Sequence, residues 1–148
     1  MKYRTVNELE HFEFAEAYIA EVRFMTGLFV MELDQVKILP ENSCNRDIRT
    51  MRANGLTLTI GGAEILSFVE EGYKVYDADG KLREQKDDIV LPVEEYAAGF
   101  RRLEGCALYS AEKKDGIYTF SVDTEDHTFL LVVKGEQDTE EWDRFLNL

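Results

Sequence analysis

Three arginines recur at intervals of three in "NRDIRTMR": Arg46, Arg49 and Arg52. On a helix that spacing brings the guanidinium groups to roughly one side, and a planar fork of donors suits a carboxylate or phosphate. The trio is therefore the candidate ligand-binding patch. On a strand, Arg49 has the opposite parity and the patch does not form. The bland reading, which is favoured, pairs the arginines with nearby carboxylates, beginning with Asp47.

Other groups capable of chemistry fit simpler roles. Asp77 and Asp79 in "DADGK" suggest a cation loop, but an EF-hand counted from Asp77 requires Gly and Glu where Leu82 and Asp88 stand. The segment reads better as a hairpin turn between Tyr76 and Leu82. Asp123, Glu125, Asp126 and His127 form the densest titratable cluster. Neighbouring strand residues point to opposite faces, so Asp126 and His127 should not converge, and a solvated turn is expected. His11 is the only other histidine.

Ser43 and Cys44 sit in "ENSCNRD" with no glycine elbow to expose a nucleophile, and Cys106 follows Gly105 into an expected strand. "GGAE" lacks GxGxxG spacing and no phosphate-loop motif occurs. Neither a catalytic set, a metal site nor a cofactor is predicted.

The elements that must position these groups are mainly strands. Tyr118, Phe120 and Val122 alternate with Thr119, Ser121 and Asp123, the pattern of a half-buried strand. Cys106–Ala111 before it and Phe129–Val133 after it complete an antiparallel meander, with Asp115-Gly116 as one turn. Leu28–Leu33 and Leu56–Ile60 read as further strands, the latter ending at Gly61-Gly62. Ile65–Val69 and Tyr73–Tyr76 read as another hairpin.

Between strands, "LPVEEYAAGFRRLEG" predicts a helix opened by Pro92 and closed by Gly105, with Tyr96, Phe100 and Leu103 on its buried face. Arg101 and Arg102 suit the negative end of its dipole. Asp138 three residues before Glu141 resembles a capping box and predicts a short C-terminal helix burying Trp142 and Phe145. Residues 8–26 fit a helix opened by Asn7 and closed by Gly27, or a strand with Phe14, Tyr18, Ala20, Val22 and Phe24 on one face; the favoured reading is helix to about Glu16 and strand from Tyr18. Residues 46–53 fit either a helix capped by Gly55 or a strand entering an Asn-Gly turn.

The expected fold is α+β, mainly β, in one domain over 1–148: a curved antiparallel sheet or partly open β-barrel, with one helix between strands and a second at the C-terminus. The tyrosines and phenylalanines at 73, 76, 109, 118 and 120 are read as packing rather than pocket.

Charge bounds the partners. Thirty Asp and Glu against 17 Lys and Arg give a formal net charge of −13, with most of the surplus after residue 74. Such a chain repels phosphate backbones and anionic lipid, so neither nucleic acid nor membrane is expected as partner. No apolar run is long enough to span a bilayer, and the opening residues lack the apolar stretch of a secretory signal. A cytoplasmic protein with reduced Cys44 and Cys106 is expected.

These features favour a non-enzymatic binding or interaction module for a basic protein partner, an immunity-type inhibitor being one form. Homodimerisation through an open sheet edge fits the same architecture. The alternative is an enzyme or small-molecule-binding protein using a pocket inside the curved sheet.

Overall fold

The computed structural model describes residues 1–148. In chain order, β1 (Tyr3–Val6) leads through a single 3-10 turn at Leu9–His11 to β2 (Phe12–Glu13), β3 (Tyr18–Met25), β4 (Leu28–Asp34) and β5 (Val36–Ile38). There follow β6 (Met51–Ala53), β7 (Leu56–Gly61), β8 (Glu64–Glu70), β9 (Tyr73–Tyr76), β10 (Leu82–Lys86) and β11 (Ile89–Val90). A 3-10 turn at Val93–Glu95 runs into the only α-helix, α1 (Tyr96–Leu103), before β12 (Ala107–Lys114), β13 (Ile117–Asp123), β14 (Thr128–Lys134) and β15 (Gln137–Trp142).

Ten strands form one antiparallel sheet in the order β1-β15-β7-β4-β3-β12-β13-β14-β8-β11, and the sheet does not close into a barrel. The meander β12–β13–β14 is as predicted, with Asp115 and Gly116 both at positive φ in its first turn. The inward residues of these strands join one cluster of 28 buried residues. Inside the curve, Phe29 packs against Phe120 and Phe100, and Phe68 against Phe100 and Phe129, with ring centroids 5.5 to 6.2 Å apart. These rings meet across the interior.

The seam between β3 and β12 is short. Their ladder contains only the pair Tyr18–Ala107, whereas β3 and β4 pair along their whole length. Beyond that point β3 has no strand on its other side, and α1 packs against it there. Gly99 lets the helix approach closely: a Cβ at this position would lie 2.7 Å from Phe68 Cε2. Phe100 and Leu103 are buried, as the helical spacing predicted, and Gly105 at φ +86° ends the helical segment.

Several expectations are corrected. The C-terminal segment is a strand, not a helix: β15 pairs with β7 on one side and β1 on the other. Two full ladders outweigh a local capping pattern. Asp138, expected to cap its own helix, instead accepts the backbone N–H of Leu9 at 3.1 Å. The helix expected to about Glu16 is reduced to the Leu9–His11 turn, bracketed by positive φ at Asn7 and Glu16, though the strand from Tyr18 stands as expected.

The hairpin expected between Ile65–Val69 and Tyr73–Tyr76 is also absent. β8 pairs with β14 and β11, while β9 turns through "DADGK" onto β10, forming an exposed two-stranded arm. Residues 46–50 are loop and 51–53 are strand, within the small sheet β2-β5-β6. Asn54-Gly55 then carries the chain between two sheets rather than closing a hairpin.

Candidate functional site

A cleft of about 830 Å³ runs between α1 and the sheet. One wall is β3 from Val22 to Met25, the other is Tyr96, Ala97 and Phe100 of the helix, and Ala63–Ile65 lie at its far end. Nine of its fourteen lining residues are apolar. It exists because the two strand edges beside it lack strand partners: β3 beyond the Tyr18–Ala107 pair, and β8 before Val69.

Polar groups mark this wall. Arg23 is held by Glu21 at 3.0 Å and Glu32 at 3.7 Å, so its charge is matched. Glu104, immediately after the helix, accepts the backbone N–H of Val22 through Oε2 at 3.1 Å. Arg101 lines the cleft, is exposed and makes no ion pair, whereas Arg102 turns the other way to Glu70. The cleft can therefore hold apolar side chains and still offer polar groups along one strand edge.

Two buried carboxylate groups lie outside the cleft. Glu70, on β8, meets Arg102 at 2.6 Å, Lys86 at 3.5 Å and His127 at 3.9 Å. Burial opposes its charge, but the Arg102 guanidinium, then His127 and Lys86, outweigh that and hold the carboxyl below its ordinary range. Arg102 also stacks over Phe129, 4.7 Å from the ring centroid. This group clamps the helix to β8 and β14.

The second lies on β15, where Asp138 and Glu140 point to the same face and are both fully buried. Asp138 accepts from Lys113 at 2.8 Å, Tyr118 at 2.7 Å and Leu9 N–H at 3.1 Å. Burial would raise it, but the protonated neighbour Glu140, then Lys113 and Tyr118, outweigh that and hold it low. Glu140 receives only Thr5 Oγ1, at 2.8 Å, and its Oε2 has no partner. Burial and the neighbouring Asp138 push it up to about 9, so it carries the proton of the pair. The α1–β3 cleft does not reach this pair.

The sequence candidates lie apart from both. Arg46 and Arg49 are exposed on the 46–50 loop, with Arg49 gripped by Asp47 through Nε at 3.2 Å and Nη2 at 3.0 Å. Arg52 is on β6, half-buried, with its backbone bonded to Leu146 at both N–H and C=O. The helix that would align all three is absent. Asp77 accepts the backbone N–H of Asp79 and of Lys81 at 2.9 Å each, as a turn requires.

Ser43 and His11 both bond to Glu8, which stands between them. This is not the order of a Ser-His-Asp triad, in which the imidazole stands between hydroxyl and carboxylate, and the Glu8 bonds pin the 40–45 loop. Tyr118 and Phe120 are core, while Tyr73, Tyr76 and Tyr109 are exposed. No group of three or more His, Cys, Asp or Glu side chains is placed to hold a metal ion. No helix is long and apolar enough to cross a membrane.

The sequence reading missed the cleft and both buried carboxylate groups. The signal for β15 was present in the parity of Asp138, Glu140 and Trp142, which match an inward strand face. Compared with known proteins, the chain matches no family model, no curated protein and no solved structure.

Proposed function

We propose that the protein is a non-enzymatic binding module whose α1–β3 cleft receives an apolar segment of a basic protein partner. The observation that carries this reading is the position of the open space. The interior of the curved sheet is occupied by Phe29, Phe68 and Phe120, while the large apolar cleft opens beside it, along the helix, with Phe100 shared between the two. A reactive-site reading lacks a nucleophile–base pair at that cleft.

Charge supplies the partner class. Glu64, Glu94 and Glu95 are exposed at or beside the cleft and make no ion pair, and the whole chain carries −13. That field draws a basic partner and disfavours nucleic acid and anionic membrane. An inhibitor of a basic protein, of the immunity type, is one form of such a module. Cys44 and Cys106 are free thiols, which suits a reducing cytoplasm.

A photo-crosslinking residue placed at exposed Ala97 tests the reading, with the same residue at Thr57 on β7 as control. The Ala97 probe should capture a basic protein from native lysate, and capture should weaken from about 0.1 M to about 1 M salt, as the Debye length falls from ~10 Å to ~3 Å. Equal capture at both positions, or salt-insensitive capture of an acidic protein, would overturn it.

A further inference from the structure

We propose that the cleft takes its partner by strand addition, with an extended segment pairing to the free edge of β3 between Ala20 and Met25. This deepens the reading of the cleft as a binding site and rests on it. Val22 donates its N–H to Glu104 rather than to β4, so that amide faces the cleft. Phe24 follows at the same parity in an unbroken ladder (Val22–Met31, Arg23–Val30, Phe24–Phe29), so its N–H and C=O face the same way. The edge thus presents the alternating donors and acceptors that a new strand uses.

Glu104 supplies the second observation. Its carboxylate stands where the carbonyl of a neighbouring strand would stand, on a half-exposed side chain that can swing aside. Open edges invite pairing, and proteins commonly blunt them with a charge or a covering element. Here both are present, yet α1 leaves the cleft beside the edge instead of sealing it.

Charge selects the occupant. A second copy carries the same net charge of −13 and the same acidic rim of Glu64, Glu94 and Glu95, which opposes self-pairing. A single extended chain can enter, because a paired strand needs only ~4.8 Å of lateral room. Its alternate side chains would rest on Phe24, Ile65 and Tyr96, and lysine or arginine beside them would face Glu64, Glu94 and Glu95. The ligand class is an extended peptide, apolar at every second position and basic at its flanks.

Selection of random dodecapeptides displayed on phage against the intact protein tests both levels. Enriched peptides should show alternating apolar residues with flanking Lys or Arg, and Ala97→Glu should weaken them about tenfold without lowering Tm. N-methylation of every second peptide amide should weaken binding about tenfold, methylation of the intervening amides should have no effect, and hydrogen exchange at the Phe24 amide should slow on binding. Ala97-dependent peptides that ignore N-methylation, or that space their apolar residues at three and four, would overturn strand addition while leaving the cleft as a binding site. Enriched peptides that ignore Ala97→Glu would overturn both.

Discussion

The phenol of Tyr118 donates to the carboxylate of Asp138 at 2.7 Å, with both side chains shut off from solvent. Two residues along the same strand, Glu140 has only the Thr5 hydroxyl. This inequality of donors sorts the pair into one ionised and one protonated carboxyl, and it makes stability depend on pH in a definite direction.

Glu140 is raised by burial and by Asp138 from 4.5 to about 9. Its stabilising contribution is complete below the unfolded value and is lost as pH rises through the folded one. Tm of the wild type should therefore fall from about pH 6 to about pH 9. Glu140→Gln keeps the shape of the protonated acid and cannot ionise, so it should flatten this alkaline limb. Asp138 is shifted down, so its contribution is lost instead as pH falls, and the acid limb should survive the substitution. An unchanged alkaline slope in the variant would assign the proton elsewhere.

Tyr118→Phe deletes one of three donors to Asp138 and leaves the ring packing intact. A hydrogen bond to a charged group contributes about 1.5–3 kcal/mol, and urea unfolding at neutral pH should show a loss in that range. Thr5→Val should behave differently. It removes the side-chain donor to Glu140, so its effect should be larger at alkaline pH than at pH 6, where the acid is neutral.

At Glu70, Arg102→Ala removes the nearest cation and leaves a carboxylate that is 6% exposed with Lys86 at 3.5 Å and His127 at 3.9 Å. Half the Arg102 side chain is in solvent, so screening reduces the effect below that of a fully buried pair. A loss of about 1–3 kcal/mol in urea is expected, part of it through lost contact with Phe129. Because Glu70 is held low, its contribution is present above the ordinary carboxylate range and lost in acid. The variant should begin to unfold at higher pH than the wild type on acidification. Glu70→Gln in the Arg102→Ala background should recover part of the loss.

These groups were hard to read from sequence for a physical reason. The alternation of Tyr118, Phe120 and Val122 was visible because one face is apolar and the other polar. β15 hides the same geometry, since two of its inward positions are Asp138 and Glu140, which look like solvent-facing residues until donors from β12, β13 and the Leu9–His11 turn surround Asp138. β10, "LREQK", buries no face and shows no period. The helix was legible through Pro92 and Gly105. The cleft was not, because it depends on which strand fails to pair beside β3, and that is decided by contacts far apart in the chain.

Gly99 tests how tightly the helix forms the cleft wall. In an exposed helix, replacing glycine with alanine stabilises by about 0.5–1 kcal/mol. Here the new methyl would meet Phe68 Cε2 at 2.7 Å and Leu91 Cδ2 at 2.9 Å. Phe68 is fully buried and packed against Phe100 and Phe129, so its ring has little freedom to yield. Overpacking of about 1–3 kcal/mol should exceed the propensity gain, and Gly99→Ala should lower the urea midpoint without changing the m-value. Ala98→Gly, at the exposed neighbouring position, should lose only the ~1 kcal/mol of helix propensity. A Gly99→Ala variant more stable than wild type would mean that α1 can lift from Phe68, and the wall of the cleft would then be movable rather than fixed by close packing.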